Sequence, residues 1–336
     1  MTNSPILVWH DLVHRTDQEL SRTDLAEINL ACAADLPGAA RIDHDLCIRA
    51  LNFWARGVAR YTAQALPHFH QHPGEFDHSE DYFRALCLIT FLQRDCGVRY
   101  HPDKRSDDAP LTPEDVHIHG VIQGEGGTCA SLPVVYAAVG RRLNYPMKLV
   151  TTGSHLFVRW EGESHTFNME ATAPGLSCPP DDYFRQGKYG RSKEEELDSR
   201  LLVSMSPKEE LANFLSQRAY CFMDLGQHRA TTEAFMWAIN LAPDVLCYGR
   251  LACASLDRWR NAIRERLPKR YPDLEIREMP RQFHNLDPEM EKQFVTLSVA
   301  ESLLDDPELA NGWEALRRDP SRFPPGMPAK ICVQST

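Results

Sequence analysis

The spacing of apolar residues changes from a helical to a strand period at "NYP", residues 144–146. Before it, "CASLPVVYAAVGRRL" carries apolar side chains on one helical face: Leu132, Val135, Tyr136, Val139 and Leu143. After it come three short β-rich runs, "KLVTT", "HLFVRW" and "HTFNME", and "EGES" between the last two is a hairpin signal. A helix followed directly by antiparallel strands predicts an α+β core.

Helical patterns precede this core. Apolar residues from Cys47 to Ala65 recur at alternating steps of four and three, which is the stripe of one helix. A second helix begins after a cap at Ser79 and ends at Gly97. We therefore expect residues 1–97 to form a helical segment.

Helical patterns also follow the core. Residues at about 212–244 match the spacing of one tetratricopeptide-type helix pair, and two further helical stretches lie at about 248–266 and 288–304. The sequence thus predicts three parts, namely a helical segment over 1–97, a core over 98–190 and a helical tail over 207–336.

Charge and cysteine content exclude several classes of protein. The net charge of −10, without a run of Lys or Arg, argues against binding of nucleic acid or an anionic membrane. The N-terminal stretch "MTNSPILVWHDLVHRTDQEL" lacks the features of a signal peptide, and no uncharged apolar run approaches the roughly 20 residues that span a bilayer. None of the ten cysteines forms a C-x-x-C pair, so we expect reduced thiols and a cytoplasmic location.

The segment "QGEGGTCASL" places Cys129 behind three glycines, at the predicted start of a helix. The positive end of a helix dipole and its unpaired N–H groups favour a thiolate, which is the nucleophilic form of cysteine. Gly124, Gly126 and Gly127 leave room for another chain to approach the backbone. This context is typical of a covalent nucleophile, although a buried bystander cysteine can have the same neighbours.

His155 supplies a base if the hairpin turns at residues 162–163. On that register His155 lies opposite Glu170, and Phe157 lies opposite Asn168. The alternation places His155, Asn168 and Glu170 on one face and the larger apolar set on the other, core-facing side. Either Glu170 or Asn168 can then orient the imidazole, as the third member of a catalytic triad does, and we favour Glu170.

Gln123 is a candidate for stabilising an oxyanion. It stands six positions before Cys129, where its side-chain amide could donate a hydrogen bond alongside the Cys129 N–H. A solvated loop residue is the alternative interpretation of Gln123.

Other polar clusters have simpler explanations than a metal or cofactor site. Six histidines lack a carboxylate or cysteine at a familiar ligand spacing, and we expect them in loops or on the surface: His68, His70, His72, His78, His117 and His119. His165 falls on the hairpin face opposite His155, and Cys178 is interpreted as a loop thiol. There is no P-loop and no G-x-G-x-x-G, so the sequence predicts neither a metal ion nor an organic cofactor.

The order of "GGTCASLPVVYAAVGRRLNYP", "GSHLFVRW" and "TFNMEAT" resembles the transglutaminase-like superfamily, whose core is similar to that of papain-like cysteine proteases. The resemblance covers about residues 18–245 and is dense only in 121–172. It is closest to the SirB-type branch, in which helices precede the core and tetratricopeptide-like helices follow it.

The resemblance also implies which residues form the site. The triad of the family corresponds to Cys129, His155 and Glu170, and Gln123 matches the upstream glutamine of papain-like enzymes by spacing. The third residue of the family is usually Asp, or Asn in papain-like proteases, so Glu170 departs from the pattern and Asn168 remains a second candidate.

The resemblance also implies a fold and a chemistry. The fold class is α+β, with a transglutaminase/papain-like cysteine-nucleophile core between N-terminal helices and a tetratricopeptide-like tail. The chemistry is acyl transfer at an amide of a protein or peptide through a thioester, by a hydrolase, deamidase or transamidase. A cysteine peptidase is one alternative. An inactive scaffold whose helical tail binds a protein partner is another, because several SirB-type members lack the cysteine.

Overall fold

The computed structural model describes residues 7–37, 39, 42–104, 112–252, 254–255 and 258. The described residues divide into two compact units, one up to Gln217 and the other from Arg218 onward. The α-helices are α1 (Trp9–Leu12), α2 (Asp17–Ser21), α3 (Leu25–Ala33), α4 (His44–Gln71), α5 (Glu80–Arg94), α6 (Pro113–Val116), α7 (Ile118–Gln123), α8 (Leu132–Arg142), α9 (Asp181–Phe184), α10 (Lys193–Asp198), α11 (Pro207–Asp224) and α12 (His228–Leu241). Short 3₁₀ helices span Pro73–Phe76, Pro102–Lys104 and Gly187–Tyr189.

The strands form one antiparallel sheet, in agreement with the predicted α+β class. They are β1 (Met147–Thr151), β2 (Leu156–Glu161) and β3 (Thr166–Met169), paired in the order β1-β2-β3. Each strand coincides with one of the three predicted β-rich runs.

The two long N-terminal helices begin at side-chain caps. Asp43 Oδ1 accepts a hydrogen bond of 2.8 Å from Leu46 N–H at the start of α4. Ser79 Oγ accepts one of 3.1 Å from Tyr82 N–H at the start of α5. The predicted cap at Ser79 is therefore confirmed, and each cap satisfies a backbone donor that the first helical turn leaves unpaired.

Helix α8 lies in the core of the first unit. Every residue from Leu132 to Gly140 is buried, and the helix packs against α3, α4, β1 and β2. The single apolar face predicted from spacing understates its burial, because protein surrounds this helix on several sides. A Cβ at Gly140 would collide with the sulfur of Met147, so glycine allows α8 to lie directly against β1.

Both faces of the hairpin β2–β3 are buried. On the face toward α8, Trp160 is fully buried and its ring centroid lies 5.0 Å from that of Tyr145. On the opposite face, Phe157 stacks on Phe184 of α9 with a centroid distance of 4.2 Å. The face that carries His155 is thus covered by protein rather than by solvent, which lowers the local dielectric around the imidazole.

Helices α11 and α12 are found where the sequence predicts a helix pair at about 212–244. Within the second unit, the rings of Tyr220 and Phe235 meet edge to face at 5.6 Å. The tetratricopeptide-like character of this pair stays a prediction. The stretch predicted at about 248–266 lies mostly outside the described residues, and the one at 288–304 lies entirely outside them.

The first unit contains both the predicted segment 1–97 and the predicted core 98–190, and the boundary between these parts stays a prediction. Across the described part of the chain, no helix combines the length and the apolar character needed to cross a bilayer.

Candidate active site

Cys129 lies in a hydrogen-bonded turn, residues 128–131, which we call the nucleophile turn. Thr128 N–H donates to Ser131 Oγ at 3.1 Å, and Ala130 N–H donates to Thr128 Oγ1 at 3.1 Å. Helix α8 begins only at Leu132. The prediction that it starts at or just before Cys129 is wrong, because the two hydroxyls bind backbone donors locally and delay the helix. Cys129 itself is half-buried, so the turn leaves part of the residue open to solvent.

The glycines before Cys129 serve packing within the chain. Gly127 N–H donates to Arg99 O at 3.0 Å, and His101 N–H donates to Gly127 O at 2.8 Å. A Cβ at Gly126 would lie 3.0 Å from the Cα of His101. The prediction that Gly126 and Gly127 leave room for an approaching chain is therefore wrong, since this protein's own residues 99–101 fill that space.

The register of the hairpin differs from the prediction by two residues. Arg159 lies opposite Asn168, in place of the predicted Phe157, and His155 is not directly opposite Glu170. The reason is that four residues separate β2 and β3 instead of two. Side chains alternate with a period of two, so a shift of two residues preserves the faces. His155 and Glu170 consequently still lie on the same side of the sheet.

His155 and Glu170 form a buried pair. His155 Nε2 and Glu170 Oε2 are 2.7 Å apart, and the two residues are only 5% and 8% exposed. The other carboxylate oxygen of Glu170 accepts hydrogen bonds from the Thr172 hydroxyl at 2.6 Å and the Thr172 N–H at 2.9 Å. With Nε2 engaged by Glu170, Nδ1 is the ring nitrogen that remains for an interaction with Cys129, whose side chain lies near enough to raise the pKa of His155.

The surroundings of His155 favour its charged form. Burial lowers its pKa, but hydrogen bonds and charge attraction with Cys129 and Glu170 outweigh burial and raise the pKa from 6.5 to about 9. Burial likewise opposes ionisation of Glu170, yet the hydrogen bond and charge of His155 hold the pKa of Glu170 below 4.5. The pair is therefore an imidazolium and a carboxylate at neutral pH. A charged imidazole stabilises a thiolate beside it.

Aromatic rings border the imidazole. The ring centroid of Tyr189 lies 4.7 Å from that of His155, and the ring of Phe184 stacks at 6.1 Å. Burial, followed by the charge of Glu170, raises the pKa of the Tyr189 hydroxyl to about 12, so this residue is neutral at physiological pH. These rings limit the access of water to one side of His155, which strengthens its charged interactions.

Asn168 belongs to a different cluster. Both hydrogens of its amide are used, one on Pro179 O at 3.0 Å and one on Asp181 Oδ1 at 2.8 Å. Its amide oxygen accepts from Arg159 Nε at 2.8 Å, and Arg159 also reaches Asp181 at 2.6 Å. Between the two candidates for orienting His155, Glu170 makes the contact, whereas Asn168 ties β3 to Pro179 and to Asp181, the first residue of α9.

Gln123 is the last residue of α7 and is exposed. The helix ends there because Gly124 adopts a left-handed conformation, with φ at 93°. The proposed hydrogen bond from the Gln123 amide to an oxyanion stays a prediction.

The sequence analysis did not identify several residues that lie at or near the site. Thr172 follows Glu170 by two residues in "EAT", a spacing at which a threonine can bind its neighbour, and this signal could have been used. Tyr189 and Arg159 carried no local signal, since their positions depend on how distant segments pack.

The rival histidine clusters show no metal site. No group of three or more His, Cys, Asp or Glu side chains in the described residues could hold a metal ion. His117 lies between α6 and α7, as expected of a loop residue, but His119 lies within α7 and is buried, so the expectation of a loop or surface histidine is wrong for His119. Burial lowers the pKa of His119, against a smaller opposing effect of the Glu114 charge. His165 lies beside Ser79, with Nδ1 and Oγ 3.2 Å apart, and takes no part in the site.

A comparison with models of known protein families matches part of the chain. Residues 59–216 match the family model of the transglutaminase-like superfamily. This segment is a transglutaminase-like domain. It contains Cys129, His155 and Glu170 together with all three strands. No curated protein matches the chain.

A comparison with solved structures gives an alignment with menin. The crystal structure of menin, reported to reveal the binding site for the Mixed Lineage Leukemia (MLL) protein, aligns over 90% of this chain and 86% of its own, at 12% identity and a TM-score of 0.31. A TM-score at this level supports no conclusion about fold or function.

Proposed function

We propose that this protein is a cysteine-dependent hydrolase or acyltransferase that acts on an amide of a protein or peptide. The observation that carries the proposal is the buried pair of His155 and Glu170, 2.7 Å apart, with Cys129 near enough to influence the pKa of His155. A nucleophile, a base and an orienting carboxylate in this order are the parts of a catalytic triad. The transglutaminase-like domain supports the same class of chemistry.

The reaction proceeds through a thioester. Cys129 attacks the amide carbonyl as a thiolate while His155 holds the proton. The oxyanion accepts a hydrogen bond from the Cys129 N–H, and by our prediction a second from the Gln123 amide. Collapse of the tetrahedral intermediate breaks the C–N bond, and His155 protonates the departing amine or ammonia. Neutral His155 then accepts a proton from water or from a second amine, which attacks the thioester and releases Cys129.

Each residue of the triad has a distinct task in this scheme. Glu170 stabilises the imidazolium and holds its ring in one tautomer, and Thr172 holds Glu170 in turn. No metal ion or organic cofactor takes part in any step. A cysteine peptidase would differ only in the group that leaves.

We assign the chain to the SirB-type branch, in the cytoplasm, with a tetratricopeptide-like tail that binds a protein partner. The rival function is an inactive scaffold, which would be supported if Cys129 and His155 were buried with side chains too far apart to hydrogen-bond. The influence of Cys129 on the pKa of His155 shows that the two side chains are near each other, and this favours an enzyme.

Selective alkylation tests the proposal, and Cys178 provides a control within the same molecule. Cys129 and Cys178 are both half-buried, but burial raises the pKa of Cys178 to about 11, so few of its thiols are ionised at neutral pH. With substoichiometric iodoacetamide at about pH 7, we expect intact-mass and peptide analysis to place the first adduct on Cys129. The Cys129→Ala variant should remove this fast phase and the Cys178→Ala variant should retain it.

The same measurement identifies the substrate class. Folded protein is incubated with glutamine-containing peptides, with and without an amine, and quenched in acid for detection of a thioester on Cys129. Release of ammonia with water or with an amine separates deamidation from transamidation, and chain cleavage identifies a peptidase. If Cys129 reacts no faster than Cys178 in the folded protein, and no acyl adduct forms, the enzyme proposal is wrong.

A further inference from the structure

We propose that Thr128 and Ser131 are positioning residues for the nucleophile, acting through the backbone carbonyl of Asp115. This inference rests on the proposed function and assigns the side chains that hold Cys129 in its reactive geometry. The two residues lie directly before Cys129 and two positions after it, at the two ends of the nucleophile turn.

Both hydroxyls converge on one oxygen atom. Thr128 Oγ1 donates to Asp115 O at 2.8 Å, and Ser131 Oγ donates to the same oxygen at 2.7 Å. Thr128, Ser131 and Asp115 are all buried, at 3%, 0% and 3% exposure. A carbonyl oxygen has two lone pairs, so this acceptor is saturated by the two ends of the turn. Buried bonds of this kind cannot be exchanged for water without a cost in free energy, and they restrict the turn to one conformation.

Asp115 is itself held in place. Its carboxylate accepts hydrogen bonds from the N–H and hydroxyl of Thr112 at 2.7 and 2.8 Å, which caps helix α6. The ammonium of Lys104 lies 2.9 Å from the same carboxylate oxygen, and the Lys104 side chain is only 16% exposed. The carbonyl that receives both hydroxyls thus belongs to a residue fixed by a buried ion pair and a helix cap.

The pattern of backbone donors in the turn has a consequence for catalysis. The Thr128 and Ala130 N–H groups are bound to hydroxyls, whereas the N–H of Cys129 has no hydrogen-bond partner among the described residues. That donor is the one required to stabilise an oxyanion formed on the substrate. By holding the turn at both ends, Thr128 and Ser131 fix the sulfur beside His155 and the direction of the free N–H at the same time.

Two reactions distinguish the position of the Cys129 sulfur from the direction of the Cys129 N–H. Alkylation by iodoacetamide needs a thiolate but forms no oxyanion. Acylation by p-nitrophenyl acetate forms a tetrahedral oxyanion, and a burst of p-nitrophenol reports it. Both rates are measured over pH on the full chain, and the Cys129→Ala variant supplies the background from other nucleophiles.

The variants remove the hydroxyls with minimal change in shape. Thr128→Val and Ser131→Ala lose the bonds to Asp115, whereas Thr128→Ser keeps its hydroxyl. Thr231→Val is the matched control, since it removes a similarly buried hydroxyl that donates to a backbone carbonyl at 3.0 Å in α12. Circular dichroism and urea unfolding identify variants that fail to fold. Ser131→Ala, the smaller change, keeps the test decisive if Thr128→Val is unstable.

We expect Thr128→Val and Ser131→Ala to lower the acylation rate by about tenfold or more, and the alkylation rate by about threefold or less. Thr128→Ser should restore acylation to nearly the wild-type rate, and Thr231→Val should change neither rate. The inference is wrong if acylation is unchanged, if both reactions slow equally, or if Thr128→Ser is as slow as Thr128→Val. In each of these cases a reactive wild-type Cys129 still upholds the proposed function, whereas an unreactive wild type would remove both.

Discussion

Replacing Glu170 by glutamine removes the charge that stabilises protonated His155 and nearly preserves the shape of the side chain. Glu170 accepts hydrogen bonds at both oxygens, from His155 at one and from Thr172 at the other. A glutamine has a single acceptor oxygen, so it can accept a hydrogen bond from only one of these two neighbours. Burial of His155, which lowers its pKa, remains in the variant. We therefore expect the pKa of His155 to fall from about 9 by at least about one pH unit.

The size of the effect on stability follows from the two pKa values. The interval between 6.5 and about 9, at about 1.4 kcal/mol per pH unit, corresponds to a stabilisation of at most about 3–4 kcal/mol. Because the folded-state pKa of His155 is raised, this stabilisation is fully present below about pH 6.5 and is lost as the pH rises through about 9. The free energy of unfolding of Glu170→Gln should therefore depend less on pH across this window than that of the wild type.

The assay combines histidine NMR titration with urea unfolding at about pH 6 and about pH 9.5, which bracket this window. The His155→Asn variant assigns the resonance by difference. Glu163→Gln, an exposed carboxylate in the hairpin turn, makes the same change of charge away from the site and serves as the control. If His155 titrates near 6.5 in the wild type, or if its titration is the same in Glu170→Gln, the buried ion pair is not the source of the shift and our reasoning is refuted.

Two further predictions concern the neighbours of the candidate triad. Asn168→Ala loses three hydrogen bonds and should lower the free energy of unfolding by about 1–3 kcal/mol. The NMR titration of His155 should stay as in the wild type. A shifted titration would contradict our choice of Glu170 as the orienting residue. Gly127→Ala places a Cβ 2.6 Å from Val121 Cγ2 and 2.8 Å from Ser131 Oγ, so the nucleophile turn must shift, and the burst of p-nitrophenol from p-nitrophenyl acetate should slow about tenfold. Gly74→Ala, where the new Cβ meets nothing closer than 3.7 Å, is the control, and equal rates in the two variants would contradict this packing argument.

Side-chain alternation explains why the candidate triad could be found from sequence although the predicted register was wrong. The hairpin turn has four residues rather than two, which moves the pairing by two positions. Whether a residue faces one side or the other depends only on odd or even position, so His155 and Glu170 stayed on one face. A slip of one residue would have separated them.

The sequence by itself determined the features that depend on local spacing. These are the order of helices and strands in the described core, the cap at Ser79, and the common face of His155, Glu170 and Asn168. All of them follow from side-chain periods of 3.6 or 2 and from hydrogen bonds within a few residues.

Only the tertiary structure decided the features that depend on distant contacts. It shows that the Asn168 amide donates a hydrogen bond to Asp181 and that Gly126 packs against His101. It also shows that the nucleophile turn is hydrogen-bonded to the carbonyl of Asp115. The raised pKa of His155 belongs here as well, since burial and the charges around the imidazole exist only once the chain has folded. Local spacing carries no information about such pairs, because they are brought together by packing of segments that are separate along the chain.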